Sequence, residues 1–202
     1  MLLVIHPEKP QERLIQRVVD VLNKGGIIVY PTDTSYGMGC SIYSKKAIEK
    51  IYQIRQFDKN KQLSIVCSNL SDASKYANMS GLAYKSMKRL LPGPYTMIMP
   101  ATKLVPKRLH SKRKEVGIRI PDNAICQAIV SELGHPLLSA GTRIEEVEYT
   151  ADIPHFIHEE YGNMVDIVID GGCLQDAYST MIQFDGDYAE VVRKGLGNVD
   201  FI

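Results

Sequence analysis

The stretch Gly25-Gly-Ile-Ile-Val-Tyr-Pro-Thr-Asp-Thr-Ser-Tyr-Gly-Met-Gly-Cys40 decides how the chain is read. Ile27 to Tyr30 is a run of β-branched and aromatic residues, the composition of a buried strand. Pro31 lacks the N–H that a ladder needs and ends the run. Thr32, Asp33, Thr34, Ser35 and Tyr36 then follow, all with hydrogen-bonding side chains. Gly37 and Gly39 read as positions where the backbone turns sharply or comes close to a ligand. In open α/β sheets ligands bind where strands end, so a strand running into this polar loop is the first place to look for a site.

The chain has 202 residues, enough for one domain with a substantial core. Its 24 Lys and Arg nearly balance 23 Asp and Glu, for a net charge of +1. The whole molecule is therefore not an electrostatic nucleic-acid binder, and any such contact needs a local patch. The four cysteines, Cys40, Cys67, Cys126 and Cys173, are widely spaced in apolar surroundings, with no C-x-x-C or Cys/His cluster. They read as reduced core residues, not as a zinc site. The apolar run at the N-terminus is too short for a signal peptide, and no segment has the length of a membrane span. The expected location is the cytoplasm.

Outward from the central stretch, Leu2 to Ile5 reads as a strand. Pro10 to Asn23 carries Leu14, Ile15, Val18, Val19 and Leu22 at helical spacing. Ser44 caps a helix running to Arg55. Leu63–Cys67, Tyr95–Met99, Val116–Pro121 and Pro136–Ser139 read as strands. Leu70–Tyr76, Gly81–Leu91 and Asn123–Leu133 read as helices. A surface helix is expected around Ile153 to Glu160, and a strand begins at Val165. Ser179–Phe184 and Ala189–Arg193 pair as strands across Asp185-Gly186-Asp187. Strands alternate with helices early, but several late strands leave no room for a helix between them. That pattern specifies a mixed α/β sheet in one domain over residues 1–202.

Standard nucleotide motifs are missing: there is no G-x-x-x-x-G-K-[ST] loop, and no G-x-G-x-x-G follows the first strand. Cations and hydroxyls instead fall at strand and helix ends: Arg55, Lys59, Lys61, Thr96, Arg119, Ser139, Arg143 and Arg193. Arg119 lies between Ile118 and Ile120 and so points to the opposite face from both, into a cleft or into solvent. A separate basic run holds Lys103, Lys107, Arg108, Lys112, Arg113 and Lys114. It reads either as a solvated loop or as a surface for phosphate or RNA backbone. The lack of interleaved aromatic residues argues against a single-strand stacking platform.

Tyr30-Pro-Thr-Asp-Thr-x-Tyr-Gly-x-Gly39 resembles the signature of the YrdC/YciO family, the threonylcarbamoyl-AMP synthase-like proteins. Later segments match that family in order: Ile54-Arg55, Pro92-Gly-Pro-Tyr-Thr96, Gly117-Ile-Arg-Ile-Pro121, Pro136-Leu-Leu-Ser139 and Val192-Arg-Lys-Gly195. The resemblance implies a twisted mixed sheet flanked by helices, with a concave basic cavity. It implies synthesis of threonylcarbamoyl-adenylate and diphosphate from ATP, L-threonine and bicarbonate, with Mg²⁺ on the ATP, for tRNA modification. By the same resemblance Thr34, Tyr36 and Arg119 border the threonine, while Arg55, Thr96, Ser139, Arg143 and Arg193 contact the nucleotide. Gln53 stands where the family has lysine, Gln56 where it has proline, and Gln62-Leu-Ser-Ile-Val66 lacks its histidine. Ser139-Ala-Gly-Thr-Arg143 loses a serine and an asparagine. Ser179-Thr-Met-Ile-Gln183 replaces a motif that ends in aspartate. These departures resemble the YciO branch and leave weak or altered activity open. They also leave open a non-enzymatic binder of double-stranded RNA or tRNA through residues 103–114, and an enzyme acting on another amino-acid or acyl-phosphate substrate.

Overall fold

The computed structural model describes residues 1–58, 61–109, 114–142, 153–175 and 177–200. In chain order the elements are β1 (Leu2–Val4), α1 (Glu12–Asn23), β2 (Ile28–Pro31), β3 (Tyr36–Ser41), α2 (Lys45–Ile54), β4 (Ser64–Val66), α3 (Leu70–Tyr76), α4 (Gly81–Leu90) and β5 (Tyr95–Pro100). They continue with β6 (Glu115–Arg119), α5 (Ala124–Leu133), β7 (Leu137–Gly141), α6 (Pro154–Tyr161), β8 (Ile167–Asp170), β9 (Thr180–Asp185) and β10 (Tyr188–Arg193). The strands form one sheet in the order β1-β8-β2-β3-β7-β4-β6-β5-β9-β10. β1, β8 and β2 run parallel, as do β4 with β6 and β5 with β9; the remaining neighbours are antiparallel. The fold is thus the mixed α/β sheet that the spacing of the elements specifies.

Local chemistry sets the helix ends. The side chains of Ser44, Asn69, Ser80 and Asn123 accept the N–H groups of Ala47, Asp72, Ala83 and Cys126, capping α2, α3, α4 and α5. Gly134 stops α5 in the left-handed region at φ 74°.

Alternation along the strands sends residues to two different environments. Leu138, Ile65, Ile118, Met97 and Ile182 point into the larger core, which is closed by buried residues of α2, α3, α4 and α6. On the opposite face α1 and α5 bury Ile15, Val18, Val19, Ile125 and Ile129 against Leu3, Ile28, Tyr30 and Ile169. That second core covers β1, β8 and β2 and reaches Leu137 of β7 and Val66 of β4. Further along the same face the side chains shrink to a cross-strand row of Gly39, Ser139, Ser64 and Gly117.

Two expectations are corrected here. Residues 36–41 are a strand, β3, and not the continuation of a loop; its glycines neither turn nor take positive φ. They are small because the Tyr30 ring of β2 lies across them. A Cβ on Gly39 would sit 2.8 Å from Tyr30 Cε1 and 2.6 Å from the Leu138 carbonyl oxygen. Gly37 also lines the pocket described below, so backbone approach to a ligand survives there. The second correction concerns the cysteines. Cys40, Cys67 and Cys126 are buried, but Cys173 is exposed. Among the described residues no helix is long and apolar enough to cross a membrane.

Gly39→Ala forces backbone or ring to move and is expected to cost about 1–3 kcal/mol, seen as a fall in Tm of roughly 2–4 °C per kcal/mol. Gly141→Ala, whose Cβ would meet nothing within 4 Å, serves as the control and should melt with the wild type. Equal melting of both variants would contradict the packing account. Burial pushes the Cys40 and Cys126 thiols up to about 12, so a disulfide reagent near neutral pH should titrate Cys173 alone in native protein. All four thiols should react once the protein is unfolded.

Candidate functional site

The loop between β2 and β3 is shaped by its own hydroxyls. Thr32 Oγ1 accepts the N–H groups of Thr34 at 3.2 Å and Ser35 at 3.3 Å, and donates to the Ser35 carbonyl at 2.6 Å. This tight turn brings Asp33 and Thr34 against β6. There Arg119 NH2 donates to Asp33 Oδ1 at 2.7 Å and to Thr34 Oγ1 at 3.0 Å. Asp33 Oδ2 also accepts the N–H of Asp122 at 3.0 Å. The pair is buried, with side chains 11% and 7% exposed. Arg119 Nε is buried and has no hydrogen-bond partner among the described residues. Of the two readings open for Arg119, the cleft is the one realised.

Arg119 opens onto a cavity of about 250 Å³. Its floor is the bare face of the sheet: Ser139 of β7, Ser64 of β4, Gly117 of β6, and Thr96 and Ile98 of β5. Thr34, Tyr36, Arg55 and Arg193 also line it, so every sequence-derived contact for threonine and nucleotide within the described residues falls in one pocket. Arg143 lies outside the described residues.

The cations arrive on different elements. Arg55 caps the C-terminus of α2 and donates through NH1 to the Thr142 carbonyl at 3.3 Å and to the Tyr161 hydroxyl at the end of α6. Its guanidinium also sits over the rings of Phe57, at 5.2 Å, and Tyr161, at 5.7 Å. Arg193 of β10 donates through Nε and NH2 to the Ser179 carbonyl at 3.2 and 2.9 Å and through NH2 to Ser179 Oγ at 3.1 Å. It stacks on Tyr178 at 5.0 Å. Burial lowers Arg193 from its ordinary value; the charge of Arg119 acts the same way and Tyr178 opposes it. Thr96 Oγ1 meets Ser179 Oγ at 2.8 Å. Lys61 also lines the cavity, which makes four cationic side chains and no carboxylate among the described lining residues. Such a wall suits an anion, because guanidinium groups bind carboxylate and phosphate oxygens in pairs.

Tyr36 lines the cavity, but its hydroxyl donates to the Gly172 carbonyl at 2.7 Å and accepts the Gly171 N–H at 3.1 Å, a structural latch between β3 and the end of β8. Asp33, Ser179, Tyr161 and Tyr178 were not among the expected site residues. Asp33 sat in the quoted stretch, but its partner lies 86 positions away along the chain. Ser179 was visible only as the first residue of a divergent motif. Nothing local in the sequence singles out Tyr161. Lys103, Lys107 and Lys114 are exposed and do not line the pocket. Lys112 and Arg113 lie outside the described residues, as does the side chain of Arg108.

Asp33→Ala would leave the Arg119 guanidinium buried without its anion, at an expected cost of about 3–5 kcal/mol. The expected fall in Tm is on the order of 10 °C, and a melt that matches the wild type would show that the pair holds nothing together.

With this geometry in place, comparison with known proteins gives consistent matches. The Sua5–YciO–YrdC family model, described as "Telomere recombination", matches residues 20–195. The chain is 42% identical to YciO of Escherichia coli (strain K12) over 196 residues, covering 96% of this chain and 95% of that one. The crystal structure of E. coli YciO matches it with a TM-score of 0.94 at 41% identity, over 99% and 98% of the two chains. A threonylcarbamoyl-AMP synthase of Vibrio vulnificus (strain YJ016) is 26% identical over 160 residues, 78% of this chain and 86% of that one. P. abyssi Sua5, in a crystal structure complexed with L-threonine, shares the fold with a TM-score of 0.88 at 21% identity, over 96% of this chain and 57% of the longer one.

Proposed function

The chain belongs to the Sua5–YciO–YrdC family, and on that premise we propose that it is a threonylcarbamoyl-AMP synthase-like nucleotidyltransferase with activity altered by its own pocket substitutions. The observation that carries this reading is the cavity wall of Arg55, Lys61, Arg119 and Arg193 with no carboxylate among its described residues. The site has two parts. Arg119, paired with Asp33 so that the two together carry no net charge, suits the carboxylate of a zwitterionic amino acid such as L-threonine. Arg55, Lys61 and Arg193 suit a polyphosphate.

In this reading L-threonine and bicarbonate condense to a carbamate with loss of water. A carbamate oxygen then attacks the α-phosphorus of ATP, the bond to the β-phosphate oxygen breaks, and diphosphate leaves. No covalent intermediate with the protein is needed. The chain's residues hold the two substrates in line and offset charge on the phosphates. The pocket offers a cation hydroxyls and no carboxylate among its described residues. Mg²⁺ would therefore be held by phosphate and water oxygens, and when bound it would supply charge neutralisation for the diphosphate. Lys61 stands on the pocket wall and adds a cation to the three arginines, while Gln53, where the family pattern has lysine, is exposed. Contact with tRNA or duplex RNA would use the exposed Lys103, Lys107 and Lys114 outside the pocket.

The test is to incubate the protein with ATP, Mg²⁺, bicarbonate and L-threonine and to follow diphosphate and threonylcarbamoyl-adenylate. Product should require threonine. Arg119→Ala or Arg55→Ala should lower kcat/KM roughly ten- to hundredfold, the loss expected for a charged hydrogen bond. ATP binding without threonine-dependent product would overturn the synthase reading in favour of another acceptor. Absence of ATP binding would overturn the nucleotide site itself and turn attention to RNA.

A further inference from the structure

We propose that Tyr30 is a positioning residue that commits the Ser139 hydroxyl to donate a hydrogen bond into the pocket. The inference deepens the nucleotide-site reading and rests on it for the identity of the acceptor, a phosphate or carbonyl oxygen. Tyr30 belongs to β2 and Ser139 to β7, with β3 between them. The phenol reaches across because Gly39 leaves its path clear, where a Cβ would stand 2.8 Å from the ring, and because a Cβ on Gly37 would crowd Ser139 Oγ at 3.2 Å.

Tyr30 is fully buried, and its hydroxyl lies 2.8 Å from Ser139 Oγ. That serine is the only hydrogen-bond partner of the phenol among the described residues. A buried O–H keeps a partner, so the tyrosine proton goes to Ser139 Oγ. Burial raises the phenol from its ordinary value, so that proton stays in place at working pH. Ser139 is therefore the acceptor in this pair. Its own proton has no acceptor among the described residues, and its side chain lines the cavity. An oxygen of the bound substrate completes the pair. Without the phenol, Ser139 is free to rotate and to accept instead of donate.

The experiment uses Tyr30→Phe, which keeps the ring and removes one oxygen, together with Ser139→Ala and the double variant. High-resolution crystals of the ligand-free protein should show Ser139 in one rotamer in the wild type and in more than one in Tyr30→Phe. ATP titration should show Kd raised about three- to tenfold in Tyr30→Phe, the range for one hydrogen bond. Adding Tyr30→Phe to Ser139→Ala should raise it no further, because the phenol acts only through the serine. A merely structural role would instead lower Tm and weaken ATP equally in both backgrounds. That result, or an unchanged single rotamer in Tyr30→Phe, would overturn the proposal. If wild-type protein binds no ATP, the nucleotide reading fails by itself, and the rotamer comparison still decides the role of Tyr30.

Discussion

The phenol of Tyr30 spans three strands. It starts on β2, lies over the glycines of β3 and ends on Ser139 of β7, across about 10 Å of sheet at the usual strand spacing. Much else follows from that one crossing. The ring demands glycine at position 39 and packs against Gly37, which leaves this stretch of β3 bare of side chains on one face. Full burial of a ring this size contributes about 1.5–3 kcal/mol, enough to fix the register of β2 against β3. That register places the Thr32–Ser35 turn where Asp33 and Thr34 meet Arg119 of β6. The aromatic ring also marks the border between two uses of one sheet face. On its β2 side α1 and α5 cover the sheet; beyond it the same face carries Ser139, Ser64 and Gly117, which form the floor of the pocket.

The second organising contact is the buried Asp33–Arg119 pair. It ties the loop after β2 to the end of β6, two segments that no neighbouring strand pairing joins. A buried ion pair is a poor source of net stability but a costly one to break. Its value here is placement: it holds a guanidinium at a pocket wall with one anion attached, and a pair with no net charge suits a ligand that is itself a zwitterion. The arginines at Arg55 and Arg193 are held by carbonyls, hydroxyls and aromatic faces, which orient them toward the pocket.

Most elements were legible in the sequence because periodicity, caps and breakers agreed, as at Ser44, Asn123 and Gly134. β3 was not, because Gly37 and Gly39 carry no strand signal of their own; their meaning lies in the ring of Tyr30, on another strand. The gathering of Thr34, Arg55, Thr96, Arg119, Ser139 and Arg193 into one cavity was legible in their joint placement at strand and helix ends and in the resemblance of ordered motifs, since each residue is weak evidence alone. Asp33 and Tyr161 stayed hidden because a long-range partner leaves no local pattern. Cys173 was misread because it lies in the stretch after β8, where apolar neighbours do not imply burial. The likeness to E. coli YciO covers nearly the whole of both chains, while the synthase relatives are more distant.

The measurement that tests this account most directly is diffraction from crystals soaked with L-threonine and a non-hydrolysable ATP analogue together with Mg²⁺. The account predicts the threonine carboxylate on Arg119 and Thr34, the phosphates among Arg55, Lys61 and Arg193, and the Ser139 hydroxyl on a ligand oxygen. An empty pocket, or ligand density only on the exposed lysines outside it, would contradict it.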